Sequence, residues 1–261
     1  MNPVIVIQAR TQSSRLPNKI FQTIGDVPIL SWVARRAARA NAVDGIIIAT
    51  STSPHDDSIE NHAVESGWTC YRGSEHDVLD RFVGAAREAS AETVVRVTAD
   101  CPFIDPGVIG GLITHYQEND LDYAGCVHVR SFPRGLDAEI MRLSALERVL
   151  ASDTQPRHRE HVTPYFYEHP HLFRISPYVA DGRWLRPDVR LCLDDQMDLQ
   201  LLREAHALLP DATPESFSTL ELLDALDRNT ELLERMRVGE HRHHAKNHAE
   251  GIHHTLATAA A

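Results

Sequence analysis

Cysteine is scarce in this 261-residue chain, and the four present, Cys70, Cys101, Cys126 and Cys192, lie far apart with no CxxC pair. That spacing reads as reduced thiols of a cytosolic protein and argues against a disulfide framework or a zinc site. No apolar run is long enough to span a bilayer, and the first residues lack the basic segment and long apolar core of a signal peptide. The expectation is a cytoplasmic protein with no membrane partner. Positive charge is in deficit as well, the formal net charge being −11. Non-specific polyanion binding needs a basic face, so no nucleic-acid partner is expected and local basic clusters carry more weight. Also missing are the GK[ST] ending of a P-loop and the GxGxxG of a dinucleotide-binding turn.

What is present is a set of short β-branched runs, VIVI at 4–7, GIIIA at 45–49 and TVVRV at 93–97, each bounded by polar or turn residues. This is the pattern of parallel strands buried on both faces. Helical spacing of apolar residues fills the intervals at 28–40, 57–66 and 78–89. Alternating strands and helices imply a doubly wound, mostly parallel α/β sheet, with ligands beyond the carboxyl ends of its strands.

Regularity falls off between residues 122 and 175, where EIMRL and LFRIS read as short strands and Ser144 opens a helix with capping-box spacing to Glu147. Arg190 to Leu193 reads as a returning strand, followed by a helix from about Met197 to Leu208. Residues 214–236 read as one or two helices. The chain therefore divides into a main domain over 1–209, with 122–175 as an insertion, a helical segment over 210–238, and a His-rich tail over 239–261. Fraying or disorder is expected in that tail, which ends in small residues. His244 and His248, spaced i, i+4, make a workable chelate, as part of a set with His241, His243, His253 and His254, but no cysteine or acid completes it.

The residues after each strand carry the chemistry. QARTQSSRLPNK follows the first, TSTSPHDD the second and TADCPFIDP the third, while Asp194 and Asp195 follow the late strand. Cations and hydroxyls beside free backbone N–H groups make a phosphate cradle. Carboxylates facing it point to magnesium, which takes a few carboxylate oxygens together with phosphate oxygens and water. Asp100 and Asp194, each just past a strand, could hold one ion between them. Singly, each has a plainer reading: Arg10 or Arg15 as a surface residue, Asp100 as a turn cap before Pro102, Asp194 as the start of a helix. Together they converge on the ligand-binding edge and indicate a metal-dependent nucleotide enzyme.

Seven blocks in order, IQARTQSSRLPNKIF, IIATSTSPHDDSI, YRGSEHDVLDRF, VVRVTADCPFIDP, FPRGLDAEIM, REHVTPYFYEHP and RLCLDDQMDL, closely resemble the spore-coat polysaccharide biosynthesis protein F family. That family is grouped with the acylneuraminate and 3-deoxy-manno-octulosonate cytidylyltransferases. The resemblance implies a nucleotidyltransferase fold related to the GT-A glycosyltransferases, CTP and Mg2+ as ligands, and release of pyrophosphate as a CMP-activated product forms. By the same resemblance, Ala9, Arg10, Ser14, Arg15 and Lys19 form the phosphate-binding loop, with Arg10, Lys19 and Asp100 catalytic. Ser51, Thr52, Gly73, Ser74, Asp77 and Arg81 fall around base and ribose, although Asp77 and Arg81 also fit a helix-surface pair at i, i+4. Asp100 and Asp194 match the metal positions, and the segment DDQMD departs from the relatives' DTPED. Arg134, Asp137, Glu139, Arg159, Glu160 and His161 match acceptor-side positions, with arginine suited to a small carboxylate or phosphate acceptor. A homodimer is expected by analogy.

Two other readings stand beside this one. A GT-A-like glycosyltransferase would carry a DxD motif after a mid-chain strand, where Asp100 is instead followed by Cys101 and Pro102. A non-catalytic nucleotide-binding subunit would be expected to have lost Lys19 or Asp100, and both are present.

Overall fold

The computed structural model describes residues 3–152, 155–249 and 255–256, with side chains as far as Glu240. Its centre is a seven-stranded sheet. The strands are β1 Val4–Gln8, β2 Gly45–Ser51, β3 Thr69–Gly73, β4 Thr93–Thr98, β5 Tyr123–Gly125, β6 Ala138–Arg142 and β7 Ile175–Pro177. They lie in the order β7-β5-β6-β4-β1-β2-β3. β1 pairs in parallel with β2 and β4, setting Val6 opposite both Ile47 and Arg96. β6 runs antiparallel to β4 and β5 on either side of it.

The unbroken apolar run of β1 follows from burial on two faces, because successive side chains point to opposite sides of the sheet. Ile5 and Ile7 pack with residues of α1 Ile29–Ala37, α2 Asp57–Glu65 and α4 Pro106–Glu118. Val4 and Val6 pack on the other face with α3 Val78–Glu88 and α5 Leu143–Ser152. Short helices α6 Pro156–His161 and α7 Pro164–Glu168 follow. A third apolar cluster joins Trp32 and Phe103 to α8 Gln196–His206, α9 Thr219–Arg228 and α10 Thr230–Ala249.

The chain winds from β1 outward through β2 and β3, then returns to lay β4 on the other flank of β1. Strand order thus reverses between β1 and β4, and such a switch opens a crevice at the strands' carboxyl ends. The loops holding Arg10, Lys19 and Asp100 leave the sheet at that point.

Three local expectations are corrected. Arg190 to Leu193 is not a strand of the sheet: it makes one isolated bridge, Arg190 to Arg134, while Leu191 and Leu193 bury in the third cluster. The segment lies across the strand ends, where the Leu193 amide donates to the Asp100 carbonyl at 2.8 Å. Ser144 does not cap a helix, because β6 runs directly into α5 and leaves no room for a capping turn; Glu147 pairs with Arg87 instead. Helix α10 continues through the start of the expected tail to Ala249, and Thr255–Leu256 pairs in parallel with Val129–Arg130. The side chains of His241, His243, His244, His248, His253 and His254 lie outside the described residues. Among the described residues, no helix is long and apolar enough to cross a membrane.

Gly135 fixes how closely the Arg190 segment approaches. Its φ is +104°, and an added Cβ would stand 2.5 Å from the carbonyl carbon and oxygen of Leu191. Both the left-handed backbone and the backbone contact exclude a side chain. Gly135→Ala is expected to lower the unfolding free energy by about 1–3 kcal/mol, the usual cost of overpacking. Chemical denaturation with an unchanged midpoint would show that the contact relaxes without strain.

Candidate active site

The loop after β1 is pinned at both ends. Ala9 donates its amide to the Ala49 carbonyl at 3.1 Å, and Asn18, in the left-handed region at φ 55°, donates to the Thr11 carbonyl at 3.0 Å. Between them the buried Asp56 carboxylate accepts from the Thr11 amide at 2.8 Å, the Thr11 hydroxyl at 2.7 Å and the Ser51 hydroxyl at 2.5 Å. Burial would push the Asp56 carboxyl up, but the Ser51 and Thr11 hydrogen bonds outweigh it and hold the group below its usual range. Sequence reasoning passed over Asp56; its signal was the first of two adjacent aspartates, Asp56 and Asp57, after Pro54, visible only as part of the second block.

Lys19 is the centre of the site. Its ammonium donates to Asp100 Oδ2 at 2.8 Å, to the Leu193 carbonyl at 2.7 Å and to Asp194 Oδ1 at 3.3 Å. Only 12% of its side chain is exposed. Burial alone would lower its pKa, yet attraction to Asp100 and Asp194 prevails and holds it above the ordinary lysine range. Asp194 mirrors this: burial pushes it up, and Lys19, Arg190 and Arg15 together hold it well below the ordinary carboxylate range. Arg15 reaches Asp194 Oδ1 at 2.8 Å and Arg190 reaches Oδ2 at 2.7 Å. Lys19, Arg15, Arg190, Asp100 and Asp194 are therefore one network of three cations and two carboxylates.

The DDQMD segment forms a firm turn. Asp195 accepts from the Asp198 amide at 3.0 Å, and Asp198 accepts from the Asp195 amide at 3.3 Å, a reciprocal capping box at the start of α8. Asp198 also holds Arg190 through Nε at 3.1 Å. Behind Arg190 stands Glu240 on α10, 6% exposed, accepting from Arg134 Nε at 2.9 Å and facing Arg190 Nη1 at 3.5 Å. The C-terminal helix thus reaches Asp194 through a buried chain of charges. Glu240 lay beyond the segment that the sequence reading assigned to helix, so this link was not anticipated.

A cavity of about 780 Å³ opens beside the loop, lined by Arg10, Ser14, Ser51, Asp56 and Arg81 among others. It shares Arg10, Ser13 and Ser14 with a smaller one of about 200 Å³ that reaches Lys19, Asp100 and Asp194. Arg10 is exposed and forms no ion pair among the described residues. The Asp77 and Arg81 surface pair is not what forms: Asp77 caps α3 and meets Arg159 Nη1 at 3.0 Å, whereas Arg81, 2% exposed, donates to the Ser74 carbonyl at 3.2 Å. Its Nε is buried with no hydrogen-bond partner, and burial pulls its pKa down. Thr52 donates its amide to the Gly73 carbonyl at 2.9 Å, and a Cβ on Gly73 would press within 3.0 Å of Arg81 and Tyr71.

The acceptor-side residues separate into two groups. Arg134, Asp137, Glu139 and His161 line a cavity of about 220 Å³ together with Arg96 and Thr98, the last shared with the Lys19 cavity. Its arginines are mostly matched by acids: Arg96 with Glu139, Arg130 with Asp137, Arg134 with Glu240. Tyr123 also donates to Glu139 at 2.7 Å. Glu160 and His161 line an adjoining space with Arg10 and Arg81. Arg159 turns away from the acceptor cavity to Asp77 and the Leu150 carbonyl. Burial draws the His161 pKa below the usual histidine value.

All four cysteines are free thiols, as the sequence reading expects, although two of them are not as separate in space as in sequence. Cys101 and Cys192, distant in sequence, come together beside Asp100, with the three possible ligand atoms all within 4.8 Å of one another. Cys101 follows Asp100 and Cys192 stands two residues before Asp194, so the meeting of these aspartates on Lys19 brings the two thiols together.

Comparison with known proteins gives a consistent result. A cytidylyltransferase family model matches residues 4–243. The chain is 31% identical over 237 residues to the spore coat polysaccharide biosynthesis protein SpsF of Bacillus subtilis, covering 88% of this chain and 96% of that protein. It is 34% identical over 233 residues to an uncharacterized protein of Methanocaldococcus jannaschii, covering 89% and 93% respectively. Among solved structures, a cytidylyltransferase from Leptospira borgpetersenii superposes with a TM-score of 0.83 at 29% identity, over 89% of this chain and 97% of that one.

Glu240→Ala leaves buried Arg134 without its carboxylate and weakens the support of Arg190. It is expected to cost about 3–5 kcal/mol of stability in denaturant unfolding; a cost under about 1 kcal/mol would mean that the chain of charges carries no strain. The depressed Asp194 carboxyl contributes stability that is present above its unfolded pKa and lost as pH falls through the folded one. The stability gap between wild type and Asp194→Asn should accordingly stay level from about pH 5 to 9 and close below about pH 4. A gap that persists undiminished into strong acid would contradict the assigned charge state.

Proposed function

The chain belongs to the cytidylyltransferase family, and from that premise we propose that it transfers CMP from CTP to a small anionic acceptor with magnesium, releasing pyrophosphate. The acceptor class is a sugar acid, a sugar or polyol phosphate, or a phosphonate, and the product serves a surface glycan or a related metabolite. One observation carries this reading: the Lys19 ammonium joins Asp100 and Asp194 at the β1 and β4 switch, in a cavity continuous with the hydroxyl-rich loop.

Three adjoining spaces give the substrates an order. Nucleotide fits the large cavity between the loop and Arg81, its phosphates lie along Arg10, Ser13 and Ser14, and the acceptor approaches from the Arg96 and His161 side. Thr98 and Arg10 stand where these spaces meet. Transfer at the α-phosphorus is an in-line displacement, so the protein's work is orientation and charge neutralisation. Arg10 and Lys19 supply the cations nearest the phosphate path. A carboxylate, phosphate or phosphonate acceptor brings its own anionic oxygen. A hydroxyl acceptor would meet His161, held neutral by burial and so able to accept a proton.

Asp100 and Asp194 would hold the magnesium. Two carboxylates converging on one ammonium nitrogen offer hard oxygens to a cation, and three cationic side chains already offset them, so the phosphates' negative charge is needed to bring the metal in. Once bound, magnesium supplies Lewis-acid polarisation and a template for the phosphate oxygens.

Pyrophosphate release, measured with each of the four nucleoside triphosphates against a panel of the named acceptor classes, tests the reading. Acceptor-dependent release from CTP is the expected result, and Lys19→Ala and Asp100→Asn should each reduce it at least about 10²–10³-fold, the cost of removing one charge-stabilising group. Full activity in a folded variant would refute the role assigned to that residue.

A further inference from the structure

We propose that Asp100, Cys101 and Cys192 form a second metal site, specific for thiophilic divalent cations of the zinc and cadmium class, whose occupancy shuts off turnover. The three donors already stand close together. Cys101 is 1% exposed and Cys192 half-buried, and their sulfurs and an Asp100 oxygen all lie within 4.8 Å of one another. Zinc-bound thiolates at about 2.3 Å from the metal stand roughly 3.7 Å apart, so the set need contract by only about an ångström. The backbone already fixes the two loops, since the Leu193 amide donates to the Asp100 carbonyl at 2.8 Å.

Asp100 is bifunctional in this arrangement. Its Oδ2 accepts from Lys19 at 2.8 Å, while Oδ1 faces Cys101 Sγ at 3.6 Å. One oxygen therefore looks toward the phosphate cavity and the other toward sulfur. Soft thiolates select zinc or cadmium and leave magnesium unbound, so excess magnesium does not protect the sulfur side. Binding releases the two thiol protons to solvent and forms two metal–sulfur bonds and one metal–oxygen bond, with no change of oxidation state. Three protein ligands leave a coordination position for water, as in open zinc sites. Asp100, held by a soft cation, is withdrawn from the nucleotide metal. That inhibitory consequence rests on the function proposed above; the binding does not.

Cadmium titrated into the full chain, with magnesium in excess, tests the site through the ultraviolet thiolate-to-cadmium charge-transfer band. Histidines of the C-terminal stretch give no such band. One equivalent should saturate it in wild type and in Cys70→Ser, and Cys101→Ser and Cys192→Ser should each lose it. A band that survives in both variants, or none in wild type, would overturn the site. X-ray absorption of wild type with one equivalent of zinc provides a measurement that needs no variant: two sulfur neighbours at about 2.3 Å are expected, and a shell of nitrogen and oxygen alone would overturn it. In pyrophosphate release, a zinc dose that silences wild type should leave Cys192→Ser turning over; equal sensitivity of the two would overturn the inhibitory consequence. Absence of turnover under every condition would count against the proposed function, and the band would still decide the site.

Discussion

The Lys19 ammonium is bonded to a carboxylate from the loop after β4, to a carboxylate from the turn before α8 and to the carbonyl between that turn and Leu191. Removing it would leave Asp100 and Asp194 facing one another in a partly buried crevice, where like charges repel more strongly than in water. Much of the molecule's C-terminal half is arranged to sustain this contact. Arg190 and Arg15 flank Asp194, Asp198 and Asp195 lock the turn, and Glu240 on the last helix steadies Arg190 and Arg134. Buried ion pairs are weak sources of net stability but costly to break singly, so this network specifies geometry more than it adds strength.

The parallel core and its crevice were legible in the sequence for a physical reason. Val4 to Ile7 and Ile46 to Ala49 are apolar without alternation, and Val94 to Val97 is interrupted only by Arg96, because helices cover both faces, and the polar loops stand out sharply against them. The same contrast marked Arg10, Lys19 and Asp100. Position after an expected late strand marked Asp194, and the family resemblance added the acceptor-side positions. By contrast, Leu191 and Leu193 carry the alternation of a strand yet pack into a helical cluster across the strand ends. Period alone does not say whether a partner strand is available.

Long-range pairings were beyond reach. Nothing near Cys101 in sequence announces Cys192, and nothing near Glu240 announces Arg134 and Arg190, since each contact is made by the winding of the sheet and the return of the C-terminal helices. The same holds for Asp77, whose i, i+4 neighbour Arg81 is drawn inward to the Ser74 carbonyl while the capping aspartate takes Arg159 from another helix. Local spacing proposes partners; burial chooses among them.

The central claim is that three cations already offset Asp100 and Asp194, so that the magnesium proposed here enters with the nucleotide's phosphates and not before them. Calorimetric titration of magnesium into the free protein and into the protein saturated with CTP tests it most directly. The account predicts weak or no binding to the free protein and one tight site in the presence of CTP, abolished by Asp100→Asn. Equal affinity with and without CTP would contradict it, because the two aspartates would then hold the metal against the field of Lys19, Arg15 and Arg190.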